Sequence, residues 1–341
     1  MNASPAFPEV DYTATVRRPR YDELPPAVQS AIGAAADSPV VHADAPPGSG
    51  FTGGFAAVVH LADGRAVFAK AGSSVNPHLV SAYAQEAVVL RQLPEEVPAP
   101  RLLGAANLVP GAVDEHEWQV IVTQAVGGTL PQPWTTESLE LVHEACLACA
   151  DALTPGPSSL DLPTLAEHFG ENPAVLRTFP DLRTGALDLT WGQPAWLPDR
   201  YDELARLVDG AAGHLAGRTA CHGDLRADNV LIAPESGGSP PRAVLVDWNW
   251  LMRGPAWTDF VGVLPLARAD GVDVEGWLQR SPLTRSVDPE SIDAFLATIA
   301  AYMLGSADEP VWPGGPELVR VHQRRYASTF VDWLGERRGW C

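Results

Sequence analysis

Asp224, Asn229 and Asp247 belong to a stretch in which a tight polar loop is followed by two apolar β-branched runs. Asp224 and Asn229 lie on the loop within Cys221–Ile232, and Asp247 ends the apolar run Val244-Leu245-Val246. Two carboxylates and an amide brought together at the ends of short strands can hold Mg²⁺, which takes oxygen ligands and commonly combines one or two carboxylates with substrate phosphates. The remaining carboxylate can then orient a hydroxyl nucleophile, the positioning that phosphoryl transfer requires. Asp and Asn are also ordinary turn formers, so the rest of the chain has to decide between chemistry and a plain turn.

Lys70, in Ala66-Val67-Phe68-Ala69-Lys70-Ala71, is the only lysine in the chain. A compact ammonium in a sequence that elsewhere uses the planar guanidinium is the first candidate for a phosphate ligand. A chance survivor at a strand end is the plainer alternative. Upstream, Gly48, Gly50 and Gly53 form a literal G-x-G-x-x-G. Phe55–Leu61, the Asp63-Gly64 turn and Val67–Ala71 then predict a hairpin, where a dinucleotide-binding fold would place a helix. A glycine-rich loop leading into a hairpin, with lysine on the returning strand, is how protein kinases cover nucleotide phosphates. Asn76-Pro77 predicts the next helix, with a capping residue before proline at the first position. That helix, running to about Leu93, carries Glu86 as the ion-pair partner of Lys70.

The elements that must position these residues fall into two groups. A helix over Tyr21–Ala35, a short strand Val40–Ala43, the hairpin, the Glu86 helix, and strands near Arg101–Ala105 and Trp118–Thr123 predict a small antiparallel lobe with one helix packed on its strands. Gln124–Pro131 reads as a linker whose backbone can present a carbonyl and an N–H to an adenine edge. From Thr135 onward helices dominate, over Thr135–Leu153, Asp199–Leu215, Pro289–Leu304 and Glu317–Leu334. Residues 154–198 and 306–316 are rich in Pro, Gly and Trp and read as loops of binding length. Trp191, Trp196, Trp250, Trp257 and Trp312 are candidates for lining a pocket, although most tryptophans are core. The expected architecture is α+β in two lobes. Residues 1–124 form the nucleotide-binding lobe, with 1–20 poorly ordered; 125–134 form the linker; 135–341 form a mainly helical catalytic and substrate-binding lobe.

The formal charge of −19 argues against a nucleic-acid partner. It suits a cationic substrate and equally suits solubility alone. The N-terminus has no signal-peptide pattern and no apolar run reaches membrane-spanning length, so a cytoplasmic location without membrane attachment is expected. Four cysteines make no disulfide framework. Cys146-x-x-Cys149, with His143 three residues upstream, reads as buried apolar thiols on a helix rather than a metal or redox pair.

His222-Gly223-Asp224-Leu225-x-x-Asp228-Asn229-Val230-Leu231, followed by Val246-Asp247-Trp248, resembles the aminoglycoside phosphotransferase family, and the order of elements matches over roughly residues 40–335. The resemblance implies a two-lobed protein-kinase-like fold and transfer of the γ-phosphoryl group of ATP (or GTP), with Mg²⁺, to a hydroxyl of a small molecule. The acceptor it suggests is an antibiotic of aminoglycoside, sugar or nucleoside type, with resistance as the result. The alternative is a kinase of a primary metabolite (sugar, amino alcohol or homoserine type), and a nucleotide-binding pseudokinase ranks lower. A monomer or homodimer is expected. Carried over by position, Asp224 is the catalytic base, and Asn229 and Asp247 are the metal ligands. Lys70 and Glu86 form the phosphate-binding pair. Gly50, Phe51, Thr52 and Gly53 belong to the nucleotide loop, and Gln124 and Val126 to the hinge. His222 and Asp259 brace the catalytic loop. Arg226 stands where many relatives have a small residue or histidine; it is expected to neutralise the moving phosphoryl group or meet an anionic substrate, with a salt bridge to Asp228 as the alternative.

Overall fold

The structure, a computed structural model, describes residues 16–45, 51–311 and 315–341. Val40–Ala43, Phe55–Leu61, Ala66–Ser73, Leu102–Leu108 and Trp118–Gln124 (β1 to β5) form an antiparallel sheet in the order β1-β2-β3-β5-β4. Pro26–Ala35 (α1) and Pro77–Gln92 (α2) cover its opposite faces. The alternation of strand side chains makes this arrangement necessary. Phe55, Ala57 and Val59 of β2, Val67, Ala69 and Ala71 of β3, and Val120 and Val122 of β5 join Val28 and Ile32 of α1 in one cluster. Ile121, between the two valines of β5, instead packs with Leu79, Tyr83 and Ala87 of α2. The same alternation puts Phe68 and Lys70 on the face turned away from α1.

Helix α2 begins with Pro77 in its first turn, but Asn76 makes no side-chain capping bond. Its carbonyl accepts from Leu79 N at 3.0 Å instead. The anticipated disorder of residues 1–20 falls, for 1–15, outside the described residues. Within 16–20, Arg18 Nη1 donates to Gly54 O at 2.8 Å.

The remainder is mainly helical: Thr136–Ala152 (α3), Pro173–Thr184 (α4), Tyr201–Asp209 (α5) and Ala211–His214 (α6) precede the motif, and Thr258–Ala269 (α7), Val274–Arg280 (α8), Pro289–Ser306 (α9) and Leu318–Arg337 (α10) follow it. Thr135 caps α3, its Oγ1 accepting from Ser138 N at 3.1 Å while Ser138 Oγ accepts from Thr135 N at 3.0 Å. Two short antiparallel pairs are set among the helices. Thr219–Cys221 (β6) pairs with Met252–Gly254 (β9), and Val230–Ala233 (β7) pairs with Arg242–Leu245 (β8). Asp224 and Asn229 lie between β6 and β7; Asp247 lies between β8 and β9.

Two expectations for this half need correction. Residues 154–198 are not loop throughout, because α4 lies among them. Asn172 Oδ1 accepts from Ala174 N at 3.0 Å, Pro173 starts the helix, and Gly185 in the left-handed conformation ends it. Buried Val175 and Phe179 hold α4 to the core despite the internal Pro180. The single helix expected over Asp199–Leu215 is divided at Gly210 into α5 and α6. Cys146 and Cys149 are buried free thiols, and burial pushes both pKa values up. His143 Nε2 lies 2.7 Å from Ser281 Oγ, and its ring packs on Phe260 and Trp277. No group of three or more His, Cys, Asp or Glu among the described residues is placed to hold a metal. No helix of the described residues is long and apolar enough to cross a membrane.

Strand β4 passes so close to α1 that a Cβ on Gly104 would lie 2.2 Å from the carbonyl oxygen of Ala35. Gly104→Ala is expected to cost about 1–3 kcal/mol by overpacking, read as a lower denaturation midpoint with an unchanged m-value.

Candidate active site

The loop after β6 is shaped by one glycine. Gly223 has φ +79°, and a Cβ there would lie 2.3 Å from Trp250 O, so no other residue fits without displacing that strand connection. The turn aims the His222 and Gly223 amides at Asp259, which accepts them at 2.7 and 3.0 Å. His222 Nε2 donates to Val246 O at 2.9 Å, and Val246 N donates to Asn229 O at 2.9 Å. These bonds tie the Asp224 loop to the strand end that carries Asp247.

Arg226 divides the loop carboxylates. Its Nε and Nη2 form a two-pronged pair with Asp228 at 3.0 and 3.1 Å, while Nη1 alone reaches Asp224 Oδ1 at 2.9 Å. The difference shows in their proton affinities. Burial raises the Asp228 pKa, but the charge and hydrogen bonds of Arg226 outweigh it and hold the carboxyl below the usual range. At Asp224 burial wins over the single guanidinium bond, and the pKa is raised to about 6. A carboxylate with a pKa near working pH is suited to taking a proton.

Lys70 joins the two lobes. Its Nζ lies 2.9 and 2.7 Å from the Glu86 oxygens and 2.8 Å from Asp247 Oδ1. Burial opposes the ammonium, but Asp247 and Glu86 more than offset it and raise the Lys70 pKa. One cation is shared by two carboxylates, so one of them carries surplus charge. Glu86, the more buried, is pushed up to about 7 by desolvation. Asp247 stays below the usual range because attraction to Lys70 overcomes its burial. Asp247 has φ 68° and ψ 54°, a left-handed conformation that aspartate tolerates better than most residues.

Lys70, Glu86, Asp224, Arg226, Asn229 and Asp247 line one cleft of about 690 Å³, together with Phe51, Thr52, Gln124 and Val126. Gly53 lies outside that lining, and Gly50 lies outside the described residues. The Asn229 amide nitrogen donates to Asp224 O and Oδ2 at 2.8 and 3.3 Å, which turns its carbonyl oxygen away from those bonds. Asp247 gives Oδ1 to Lys70, and its side chain is still 35% exposed in the cleft. One carboxylate and one carboxamide oxygen fit Mg²⁺ bound jointly with nucleotide phosphates, in place of an all-protein cage.

Of the tryptophans singled out as pocket candidates, only Trp250 lines this cleft. Trp257 is buried, Trp196 packs on Trp340, Trp191 lies against the core, and Trp312 is outside the described residues. The sequence reading missed His168, Tyr302, His322 and Tyr326, all in the lining. His322, Tyr326 and Phe330, four residues apart on α10, share a face, and that spacing was the available signal.

His322 is buried, and desolvation aided by Arg226 lowers its pKa to about 3. A folded-state value below the unfolded 6.5 means full stability above pH 6.5 and progressive loss on acidification towards pH 3. From pH 7 to 5 this residue should remove on the order of 2 kcal/mol. Thermal unfolding of His322→Phe across that range should show a shallower decline than the parent protein, and an equal decline would reject the assignment.

A sequence model of the phosphotransferase enzyme family matches residues 48–302. A comparison with curated protein sequences returned no match. Among solved structures, an aminoglycoside phosphotransferase from Alicyclobacillus acidocaldarius is similar with a TM-score of 0.58 and 18% identity, covering 91% of this chain and 95% of that one. A spectinomycin phosphotransferase in complex with ADP and spectinomycin has a TM-score of 0.59 at 11% identity, covering 92% and 98%. A thermostable mutant aminoglycoside phosphotransferase in ternary complex with ADP and hygromycin B has a TM-score of 0.56 at 15% identity, covering 91% and 98%. These likenesses show the two-lobed, protein-kinase-like α+β fold. With the family match extending over well over half of its length, the chain belongs to the phosphotransferase enzyme family and is a small-molecule kinase acting on an alcohol group.

Proposed function

We propose that this protein transfers the γ-phosphoryl group of ATP, or GTP, to a hydroxyl of a small molecule, with Asp224 as the base. The observation that carries this reading is the convergence in one cleft of a buried ammonium clamped by two carboxylates and a separate carboxylate whose pKa is near 6. Asp224 orients the acceptor hydroxyl and takes its proton as the new oxygen–phosphorus bond forms. The bond between the γ-phosphorus and the bridging oxygen breaks, and the nucleoside diphosphate leaves. Lys70 holds nucleotide phosphates, and Glu86 holds Lys70. Bound at Asn229 and Asp247, Mg²⁺ would neutralise phosphate charge. Arg226 puts a guanidinium next to the base, where the moving phosphoryl group passes. The loose transition state leaves little covalent work, so position and charge supply the rate.

Several polar anchors of such a site are present together, which favours a working kinase over a pseudokinase that only binds nucleotide. The similar structures include complexes with the antibiotics spectinomycin and hygromycin B, and we extend that likeness to this chain. The acceptor is a hydroxyl-bearing antibiotic, its phosphorylation gives resistance, and the reaction takes place in the cytoplasm, where nucleoside triphosphate is available. A screen for ATP consumption over antibiotics and metabolites, paired with resistance of a susceptible host expressing the chain, tests this. Consumption with metabolites alone would move the assignment to primary metabolism.

Asp224→Asn should lower kcat by about 10²–10⁴-fold while nucleotide affinity changes little. Asp247→Ala should weaken Mg·ATP binding itself. Near-normal phosphorylation by Asp224→Asn would sink the base assignment. Arg226→Ala should lower kcat on the order of 10²-fold, as loss of one transition-state charge partner does; unchanged kcat and KM would leave Arg226 with only its tie to Asp228.

A further inference from the structure

Beyond Asp224 the cleft is walled by α9, α10, the turn at residues 166–170 and Trp250. Aromatic rings cover this wall in two contacting files. In the first, Trp250 meets His168 at 5.5 Å between centroids, His168 meets Phe169 at 4.5 Å, and Phe169 meets Tyr302 at 5.4 Å. In the second, Phe51 meets His322 at 4.8 Å and His322 meets Tyr326 at 4.3 Å. Both files reach the reacting groups. Tyr302 lies in the field of Asp224 and Arg226, and His322 in that of Arg226 and Asp228.

A polycationic acceptor needs carboxylates to replace its water. The carboxylates lining the cleft among the described residues are Glu86, Asp224, Asp228, Asp247 and Asp259. Each already has partners. Glu86 and Asp247 hold Lys70, Asp224 and Asp228 hold Arg226, and Asp259 accepts two backbone amides. Burial keeps the His168 and His322 imidazoles below their ordinary pKa, hence neutral at pH 7. Glu309 acts on Tyr302 from outside the lining and is opposed there by Arg320. The polar side chains that Asn249, α9 and α10 add to the lining are neutral, and the buried Asn249 Oδ1 has no hydrogen-bond donor. Trp250 is 46% exposed and lines the cleft.

We infer that the acceptor is an uncharged, hydroxyl-bearing molecule with a flat aromatic or fused-ring body, held on the Trp250–Tyr302 wall, and is not a polycationic aminoglycoside. This rests on the cleft being the phosphotransfer site. Ring faces bind flat apolar bodies by stacking, and none of the carboxylates lining the cleft comes from the Trp250–Tyr302 wall. The Arg226 guanidinium, 5.8 Å from the Phe51 ring, already occupies that ring's cation-binding face.

The test titrates the Asp224→Asn variant, loaded with Mg·ATP, by calorimetry with a panel of nucleosides and aryl glycosides, with kanamycin and with choline. ATP consumption by the unmutated protein is followed with the same compounds. At least one neutral aromatic member should bind tenfold or more tightly than kanamycin and choline. Trp250→Ala, at a half-exposed position outside the core, should weaken that binding about tenfold, with ATP affinity as the folding control; Tyr302→Leu should do the same. Equal or tighter binding of kanamycin or choline, no binding by any neutral aromatic member, or no effect of either substitution overturns the inference. Binding of the neutral class without ATP consumption supports the acceptor class and overturns the phosphotransfer reading alone.

Discussion

The structure depends on one ammonium answering to both lobes. Lys70 Nζ has three carboxylate oxygens within 2.9 Å, two from Glu86 on α2 and one from Asp247 beyond β8. Burying an ion is costly unless its partners are close and well placed, so the arrangement fixes every element that contributes to it. Strand β3 cannot slip by one residue, because Lys70 would then exchange places with Val67, Ala69 and Ala71 in the apolar face packed against α1. Helix α2 must keep Glu86 over that strand. A guanidinium would present a wide planar fork where a point charge is needed, which gives a physical reason for a single lysine in a chain that otherwise uses arginine.

The second cluster solves the opposite problem. Lys70 has more negative partners than positive charge, whereas Asp224, the base we propose, must stay able to accept a proton beside a cation. Were Arg226 to give both prongs to Asp224, the carboxylate would be held ionised and weakly basic. Asp228 takes the fork instead and is held below its usual range, and Asp224 keeps one bond and a pKa of about 6. The plain salt bridge between Arg226 and Asp228 and the placement of Arg226 beside Asp224 are therefore two halves of one arrangement.

How much of this was legible depends on the range over which the physics acts. The hairpin, the helix carrying Glu86 and the loop carrying Asp224 are local: an Asp-Gly turn, a proline start and a polar stretch set between apolar runs each write their element into a few positions. Helix α4 was lost because Pro180 and the surrounding Pro, Gly and Trp resemble a loop in composition, while what holds the helix, Val175 and Phe179 against the core, is tertiary. Asn76 promised a cap that geometry did not use. The candidate site divided the same way. The motif marks Asp224, Asn229 and Asp247, but nothing local says that α9 and α10 supply the far wall, or that Trp250 faces the cleft while Trp257 is buried.

Net charge does not describe the cleft for a related reason. A value of −19 sums the whole chain, and the cleft is a small part of it in which the lining carboxylates share Lys70 and Arg226 or accept backbone N–H groups. The loop that holds Asp224 is tied down by Asp259, by His222 against Val246 and by the turn at Gly223. None of those bonds comes from α9 or α10. Side chains on the far wall can therefore change without moving Asp224, provided the electrostatic interaction of His322 with Arg226 and Asp228 is kept. A frame of that kind can keep its phosphoryl chemistry constant while the wall selects the hydroxyl, and the wall in this chain is made of rings.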